Sequence, residues 1–328
     1  MRPFRHARAA TVAEACALLA EHGTRARANA GGTDLLGALK DSIYPEPPDV
    51  VVDLKTIPGL DAIEQDAAGL RMGALARLAD VARSEPVRAR WPILAQAAHA
   101  VGSPQIRNMA TLGGNLCQEV RCWYFRYPAH VGGAVDCLRK GGPRCPAVKG
   151  DTRYHAIFEG RGCFAVCPSD TAVALAALDA IAVLEGPGGA RRELPVQELY
   201  APLRIALEPG ELLTEVRVPP PADGARSTFL KFTVREPIDF AVVSVAANLT
   251  LREGVCTDAR IVLGAVGPRP YRAVQAEARL IGGPVDERAA AAAAEAALAG
   301  AKPLRGNGYK VPLARSIVMR AILAAVEA

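Results

Sequence analysis

Apolar positions in the first hundred residues switch between helical and extended spacing. Thr11 can cap a helix whose apolar positions recur every three or four residues and which ends near Gly23. Further helices are predicted over residues 78–84 and 91–101. Short apolar runs predict strands over residues 25–29, 50–54 and 70–74. This alternation predicts an α/β region.

A second α/β portion is predicted up to about residue 218. It has strands over residues 164–166, 180–185 and 211–218 and a helix over residues 171–178. Three consecutive prolines then open a linker over residues 219–226. The rest of the chain is predicted to form an antiparallel sheet, with strands over residues 228–234, 241–251 and 259–266, and closing helices over residues 287–299 and 313–326. The predicted fold class is α+β, with two α/β subdomains followed by an α+β domain.

Composition excludes several classes of protein. Half of the 328 residues are hydrophobic and 22% are charged, which does not fit a disordered chain. The net charge of +5 comes from scattered arginines, so no nucleic-acid partner is predicted. No apolar run is long enough to span a bilayer, and we expect a cytoplasmic protein without a membrane span.

Two glycine turns are the first candidate ligand site. One runs through Gly31 and Gly32, and the other through Gly113 and Gly114, each beside a threonine. Glycine lets backbone N–H groups approach a phosphate closely, and two such turns suit a dinucleotide diphosphate. Neither turn is a G-x-G-x-x-G or a G-x-x-x-x-G-K-[ST] loop. Ordinary tight turns therefore remain an alternative.

Six of the eight cysteines form the second candidate site. Their spacing is C-x4-C-x14-C-x7-C-x17-C-x3-C, from Cys117 to Cys167. Such crowding favours a metal centre, and the lack of a C-x2-C pair disfavours zinc relative to an iron–sulfur cluster. The alternative is a set of buried or incidental thiols. His130 and His155 lie in the same stretch, and we interpret both as surface or core histidines.

The order of these motifs resembles the FAD-binding subunits of the xanthine oxidase family of molybdenum hydroxylases. The resemblance rests on residues 30–36, 105–115, 168–170, 231–239 and 309–320, and covers nearly the whole chain. It implies a PCMH-type FAD-binding domain over residues 1–218, with subdomains of about 1–55 and 56–218. It also implies a CO dehydrogenase flavoprotein-like domain over residues 227–328.

The resemblance further implies which residues contact FAD, and no catalytic residue is expected. Lys231 matches a lysine near the isoalloxazine, although a solvated strand residue is the alternative. Arg107 is expected to position phosphate or to pair with a surface carboxylate. Asp170 is expected to accept a ribose hydroxyl or to cap a helix. The glycine turns are expected to contribute Ala30, Gly31, Gly32, Thr33, Asp34, Leu35, Leu36, Thr111, Gly113, Gly114 and Asn115.

The cysteine stretch, an insertion over about residues 117–167, resembles one branch of this family. Members such as 4-hydroxybenzoyl-CoA reductase and certain bacterial aldehyde oxidoreductases carry an extra [4Fe-4S] cluster on the flavin subunit. Cys117 and Cys167 are then not cluster ligands. The main alternative is that Cys167 replaces Cys163 as a ligand. The implied cluster ligands are Cys122, Cys137, Cys145 and Cys163.

The resemblance implies an electron-transfer subunit that holds FAD and a [4Fe-4S] cluster. Expected partners are a large subunit with the molybdopterin cofactor and a small subunit with two [2Fe-2S] clusters, as a heterotrimer or its dimer. An external electron donor or acceptor, such as ferredoxin or NAD, is also expected. There are two alternatives. One is a non-enzymatic nucleotide-binding module that is stabilised by zinc and serves assembly of a complex, and the other is a stand-alone flavin oxidase.

Overall fold

The N-terminal part of the chain is a small parallel sheet with two helices. The computed structural model describes residues 1–201 and 203–328. The strand order is β1-β3-β2, and every residue of β3 is buried. Thr11 caps the first helix as predicted, because its hydroxyl accepts a hydrogen bond from the Glu14 N–H. The elements are β1 Arg5–Arg8, α1 Val12–His22, β2 Ala26–Asn29, α2 Leu35–Lys40 and β3 Val50–Asp53.

An antiparallel five-stranded sheet follows, in the order β4-β5-β10-β6-β7. A separate two-stranded hairpin, β8 and β9, lies between β7 and β10 in the chain. The strands are β4 Ile63–Asp66, β5 Gly69–Gly73, β6 Ile181–Glu185, β7 Arg191–Pro195, β8 Tyr200–Ala201, β9 Arg204–Ile205 and β10 Leu212–Val218. The helices are α3 Leu78–Arg83, α4 Glu85–Arg90, α5 Pro92–His99, α6 Pro104–Met109, α7 Leu112–Leu116, α8 Ala129–Gly132 and α9 Asp170–Ala177.

The C-terminal part is a four-stranded antiparallel sheet in the order β11-β12-β13-β14, covered by three helices. The β12–β13 hairpin turns at Glu253 and Gly254, both with positive φ, which is the geometry that matches the twist of the strands. The elements are β11 Ala225–Phe232, β12 Val243–Arg252, β13 Val255–Gly264, β14 Tyr271–Arg272, α10 Val274–Leu280, α11 Glu287–Leu298 and α12 Lys310–Glu327.

Helix α9 joins the second and third parts of the fold. All eight of its residues are buried, and it packs against α5 on one side and against β12 and β13 on the other. Its small alanine side chains let these elements approach closely. Helix α7, which contains the second glycine turn, also packs on α9. Helix α9 therefore fixes the C-terminal sheet relative to that turn.

The α+β fold class is confirmed, and two local predictions are wrong. Residues 164–166 form no strand, because only Val166 pairs, in an isolated bridge with Arg121. Strand β11 begins at Ala225, inside the segment predicted as linker. Among the described residues, no helix combines the length and apolar character needed to cross a bilayer.

Candidate functional site

A cavity of about 570 Å³ lies where the first glycine turn, the second glycine turn and β11 meet. The first turn leaves β2 at the carboxyl end of the parallel sheet, the position where ligands bind in open α/β sheets. The volume is in the range of cofactor pockets. Its walls include all but two of the residues predicted to bind the cofactor, namely Ala30, Gly31, Gly32, Thr33, Asp34, Leu35, Thr111, Gly113, Gly114, Asn115, Asp170 and Lys231.

The two glycine turns pack on neighbouring backbone so closely that they leave no room for a side chain. A Cβ on Gly31 would lie 2.0 Å from the Met109 carbonyl oxygen. A Cβ on Gly113 would lie 2.8 Å from the Ala74 Cβ and 3.0 Å from the Ala74 carbonyl oxygen. Backbone amides can therefore form the cavity wall, as a phosphate cradle requires.

Asp34 joins the first glycine turn to the cysteine-rich insertion. Its carboxylate accepts hydrogen bonds from the Glu119 N–H at 2.9 Å and from Arg121 Nη2 at 2.9 Å, and it also pairs with Arg126. Burial lowers the pKa of Arg121 to about 10, although Asp34 opposes this shift. Glu119 also lies on this wall, and burial raises the pKa of its carboxyl group, which reduces the negative charge that faces the two guanidinium groups.

Asn115 fixes the second glycine turn to helix α9. Its Oδ1 accepts hydrogen bonds from Ser169 Oγ at 2.7 Å and from Thr171 Oγ1 at 2.6 Å. Ser169 also caps α9 by accepting the Ala172 N–H. The predicted capping role of Asp170 is therefore wrong, since Asp170 is the first residue of the helix and Ser169 supplies the cap.

Asp170 and Lys231 form a buried ion pair at the cavity wall. Lys231 Nζ lies 2.6 Å from Asp170 Oδ2 and also donates to the Ala100 carbonyl oxygen at 2.8 Å. The side chains are 5% and 8% exposed, so Lys231 is not the solvated strand residue of the alternative interpretation. Burial raises the pKa of Asp170, with Lys231 opposing the shift.

One polar atom of the cavity wall has no partner. The Oδ1 of Asn29 is buried without a hydrogen bond to any described residue. A buried acceptor of this kind costs free energy unless a donor reaches it. A ligand hydroxyl or amino group in the cavity can supply that donor.

The four cysteines predicted as cluster ligands surround a second, smaller cavity. Cys137 and Cys145 each precede a short 3₁₀ turn, Leu138–Lys140 and Pro146–Val148. Apolar walls come from Phe125 and neighbouring side chains. The cysteines that line this cavity are Cys122, Cys137, Cys145 and Cys163.

Burial at this second cavity favours neutral thiols, and nearby backbone N–H groups and Lys140 partly oppose it. The Cys122 thiol accepts N–H groups of Tyr124 and Phe125, yet burial raises its pKa to about 11. The Cys137 thiol similarly accepts two backbone N–H groups, and burial raises its pKa. Lys140 Nζ and Arg139 Nε are buried without partners among the described residues. Arg139 donates through Nη1 to the Leu203 carbonyl oxygen, so Lys140 is the cation beside the cysteines whose charged group has no hydrogen-bond partner among the described residues, which suits a site that gains negative charge.

The described cysteines are all free thiols. Within residues 1–201 and 203–328, no three His, Cys, Asp or Glu side chains are arranged to hold one metal ion. Cys117 lies on the wall of the first cavity, and burial raises its pKa to about 12. Cys167 packs into the main hydrophobic core, and burial raises its pKa to about 11. Neither residue lines the cavity that contains Cys163.

Comparison with known proteins identifies the family. Residues 2–221 match the FAD binding domain in molybdopterin dehydrogenase, and residues 228–325 match the CO dehydrogenase flavoprotein C-terminal domain. The chain belongs to this family of FAD-binding subunits. It is therefore a flavoprotein oxidoreductase subunit, as predicted, and FAD is the ligand that its family binds.

Individual relatives cover nearly the whole length of this flavoprotein. The aldehyde oxidoreductase FAD-binding subunit PaoB of Escherichia coli is 38% identical over 324 residues, which is 96% of each chain. The carbon monoxide dehydrogenase medium chain of Hydrogenophaga pseudoflava is 30% identical, over 96% of this chain and 94% of the relative. The solved structure of carbon monoxide dehydrogenase from that organism, in a form lacking the Mo-pyranopterin moiety, superposes with a TM-score of 0.79 at 30% identity. That superposition covers 100% of this chain and 99% of the other.

Two predicted FAD contacts of this flavoprotein lie off the cavity wall. Leu36 is 41% exposed, and its side chain covers Gly32. Arg107 is buried and donates to the carbonyl oxygens of Val101 and Gly102, at 2.9 and 2.8 Å. Its guanidinium therefore holds the loop before α6, so the predicted surface ion pair is wrong, and the phosphate contact stays a prediction.

Several cavity residues were missing from the sequence prediction. Arg121 and Arg126 converge on Asp34, and Arg121 also stacks over the Phe240 ring at 4.1 Å. Asn29 precedes the first glycine turn. Of these residues, only Asn29 could have been identified from the sequence, because it ends a predicted strand beside the first glycine turn. The arginines reach the cavity from a distant part of the chain.

Proposed function

We propose that this chain is the FAD and [4Fe-4S] electron-transfer subunit of a heteromeric molybdenum oxidoreductase. It would pass electrons between the metal centres of its partner subunits and an external donor or acceptor. When bound, FAD supplies paired or single electron transfer, and the cluster supplies single electron transfer.

The glycine-turn cavity supports FAD as its occupant. Gly31 and Gly113 present backbone where any side chain would collide, and Arg121 and Arg126 bring two positive charges to the same cavity. These features suit the diphosphate. Lys231 would hold its positive charge near the isoalloxazine, in a pair with Asp170 that keeps it oriented.

The number and grouping of the cysteines support a cubane cluster better than a zinc ion, and the cavity they line, about 10 Å³, would have to widen to hold it. A zinc ion needs its ligands within about 2.3 Å of one point. A cubane instead distributes four thiolates over four irons, so its ligands surround a volume. Cys122, Cys137, Cys145 and Cys163 line one cavity and do not converge on a single ion site. Buried Lys140 beside them would offset the negative charge of the thiolates.

The observation that carries the proposal is the shared wall of the two cavities. Arg121 lines the glycine-turn cavity, and the next residue, Cys122, lines the cysteine cavity. Adjacent Cα atoms are about 3.8 Å apart, so the two cavities meet at this backbone segment. Proximity of this kind is what electron transfer between bound groups requires.

The remaining parts of the proposal concern assembly and organisation. We assign residues 1–218 to the FAD-binding domain, with the cysteine insertion at about 117–167, and residues 227–328 to the C-terminal domain. Relatives named as subunits or medium chains support assembly with a molybdopterin subunit and a two-[2Fe-2S] subunit. Eight free thiols support a reducing, cytoplasmic location.

Affinity purification of the tagged chain from its native host, without air, tests the assembly. We expect two further chains to co-purify, together with molybdenum and more iron than this chain alone can hold. Turnover of an aldehyde or other substrate by the isolated chain would instead indicate a stand-alone oxidase. A colourless chain that contains zinc would instead indicate the non-enzymatic nucleotide-binding module stabilised by zinc.

A further inference from the structure

A buried histidine lies beside one of the cavity cysteines. His155 is 2% exposed, and its Nε2 is 3.2 Å from the Cys122 sulfur. The other ring nitrogen, Nδ1, has no hydrogen-bond partner among the described residues. Rings of Trp123 and Tyr124 pack against the imidazole, with centroids 5.9 and 5.7 Å away. Among the described residues, the Cys122 sulfur is therefore the group that hydrogen-bonds to Nε2.

The backbone of His155 is held from the C-terminal part of the fold. Lys310 begins α12, is fully buried, and donates through Nζ to the carbonyl oxygens of His155 at 3.2 Å and Ala265 at 2.5 Å. Asn307 Nδ2 donates to the carbonyl oxygens of His155 at 3.0 Å and Ala156 at 3.2 Å. A buried lysine that contacts carbonyl groups is uncommon. Here it fixes the peptide that carries the imidazole.

We propose that His155 donates an Nε2–H hydrogen bond to the Cys122 thiolate and so raises the reduction potential of the cluster. Lys310 and Asn307 are positioning residues that hold the imidazole in place. This inference rests on the proposed function, which supplies the cluster.

The chemistry of the contact fixes its direction. A cysteine that ligates iron is a thiolate, which can only accept a hydrogen bond. The imidazole must then donate, and Nε2 is the ring nitrogen that faces the sulfur. Hydrogen bonds to ligand sulfurs favour the reduced, more negative cluster. Loss of the donor should therefore lower the potential.

Two substitutions at His155 separate the hydrogen bond from packing. His155→Leu removes the donor, while His155→Gln keeps an amide N–H near the position of Nε2. In the intact complex, potentiometric titration followed by EPR gives the potential of this cluster. We expect His155→Leu to keep its iron and to reduce the equilibrium constant for cluster reduction about tenfold, which is about 59 mV for one electron. His155→Gln should retain most of the original potential.

A double-mutant cycle tests the positioning role of Lys310. Lys310→Met should lower the potential by less than His155→Leu does, and the double variant should match His155→Leu alone. Additive shifts would show that Lys310 acts through its own charge, which contradicts a positioning role. Lys302→Met, at an exposed position before the same helix, is the control and should not change the potential.

The possible negative results contradict different claims. An unchanged potential in iron-replete His155→Leu would overturn this inference and leave the proposed function intact. Loss of iron in both His155 variants would also overturn it, because the imidazole would then be needed to retain the cluster. Absence of iron from the unaltered chain would overturn the proposed function, and this inference with it.

Discussion

Replacement of Gly31 by alanine is the sharpest perturbation of the FAD site. The added Cβ would lie 2.0 Å from the Met109 carbonyl oxygen, where ordinary contacts begin near 3.4 Å. The atom it meets is backbone, so no side-chain rotation can relieve the contact. The first glycine turn and the end of α6 must therefore separate.

The size of the effect follows from this displacement. Real Cβ contacts are essentially never shorter than 3.0 Å, so the separation needed is at least about 1 Å, and functional sites tolerate errors of about 0.5 Å. A misplacement of about 1 Å costs a catalytic site about 100-fold in rate, and we take the same factor for cofactor binding. We therefore expect the Kd for FAD to rise about 100-fold, which corresponds to about 2.7 kcal/mol of binding free energy.

Flavin content and a fluorescence titration with FAD measure this effect. Gly113→Ala should give a smaller loss, because its Cβ would lie 2.8 Å from the nearest atom. Gly283→Ala is the matched control, since its Cβ would meet nothing within 4 Å, and FAD binding should not change. Full flavin content and an unchanged Kd in Gly31→Ala would refute the assignment of this turn to the diphosphate.

Three further outcomes test other parts of the molecule. Cys145→Ser should lose iron and keep FAD, whereas Cys256→Ser, in the C-terminal core, should keep both; equal iron in the two variants would contradict the ligand assignment. Lys231→Met leaves Asp170 buried and unpaired and should cost about 3–5 kcal/mol in the free energy of unfolding, with partial recovery when Asp170→Asn is added. Burial lowers the pKa of Lys310 from 10.5 to about 7, so the folded state binds fewer protons than the unfolded state between these values. Stability should then rise with pH across this window, by at most about 1.4 kcal/mol per unit, and urea unfolding at pH 7 and 9 should show no such rise in Lys310→Met.

The sequence predicted the glycine turns because their function depends on local backbone geometry. Gly31 and Gly113 belong to turns that directly follow predicted strands or precede helices, and both lie on the cavity wall. The grouping of the four cysteines came instead from the family resemblance, which selected Cys122, Cys137, Cys145 and Cys163 among the six clustered cysteines. Local pattern was sufficient for the glycine turns alone.

The partners that buried charged side chains find in the folded chain could not be predicted from the sequence. Arg107 has the charge of a phosphate ligand, yet its partners are the carbonyl groups of the preceding loop. Asp34 meets Arg126 across 92 residues, and only the folded insertion brings them together. The burial of Lys310 likewise depends on how α12 packs on the rest of the fold.

Chemical analysis of the purified chain, kept free of air, tests the central claim most directly. FAD, iron and acid-labile sulfide should be present at about one flavin and about four iron and four sulfide per chain. Flavin without iron or sulfide would contradict the claim that both centres share this chain. Absence of flavin as well would contradict the assignment of the glycine-turn cavity.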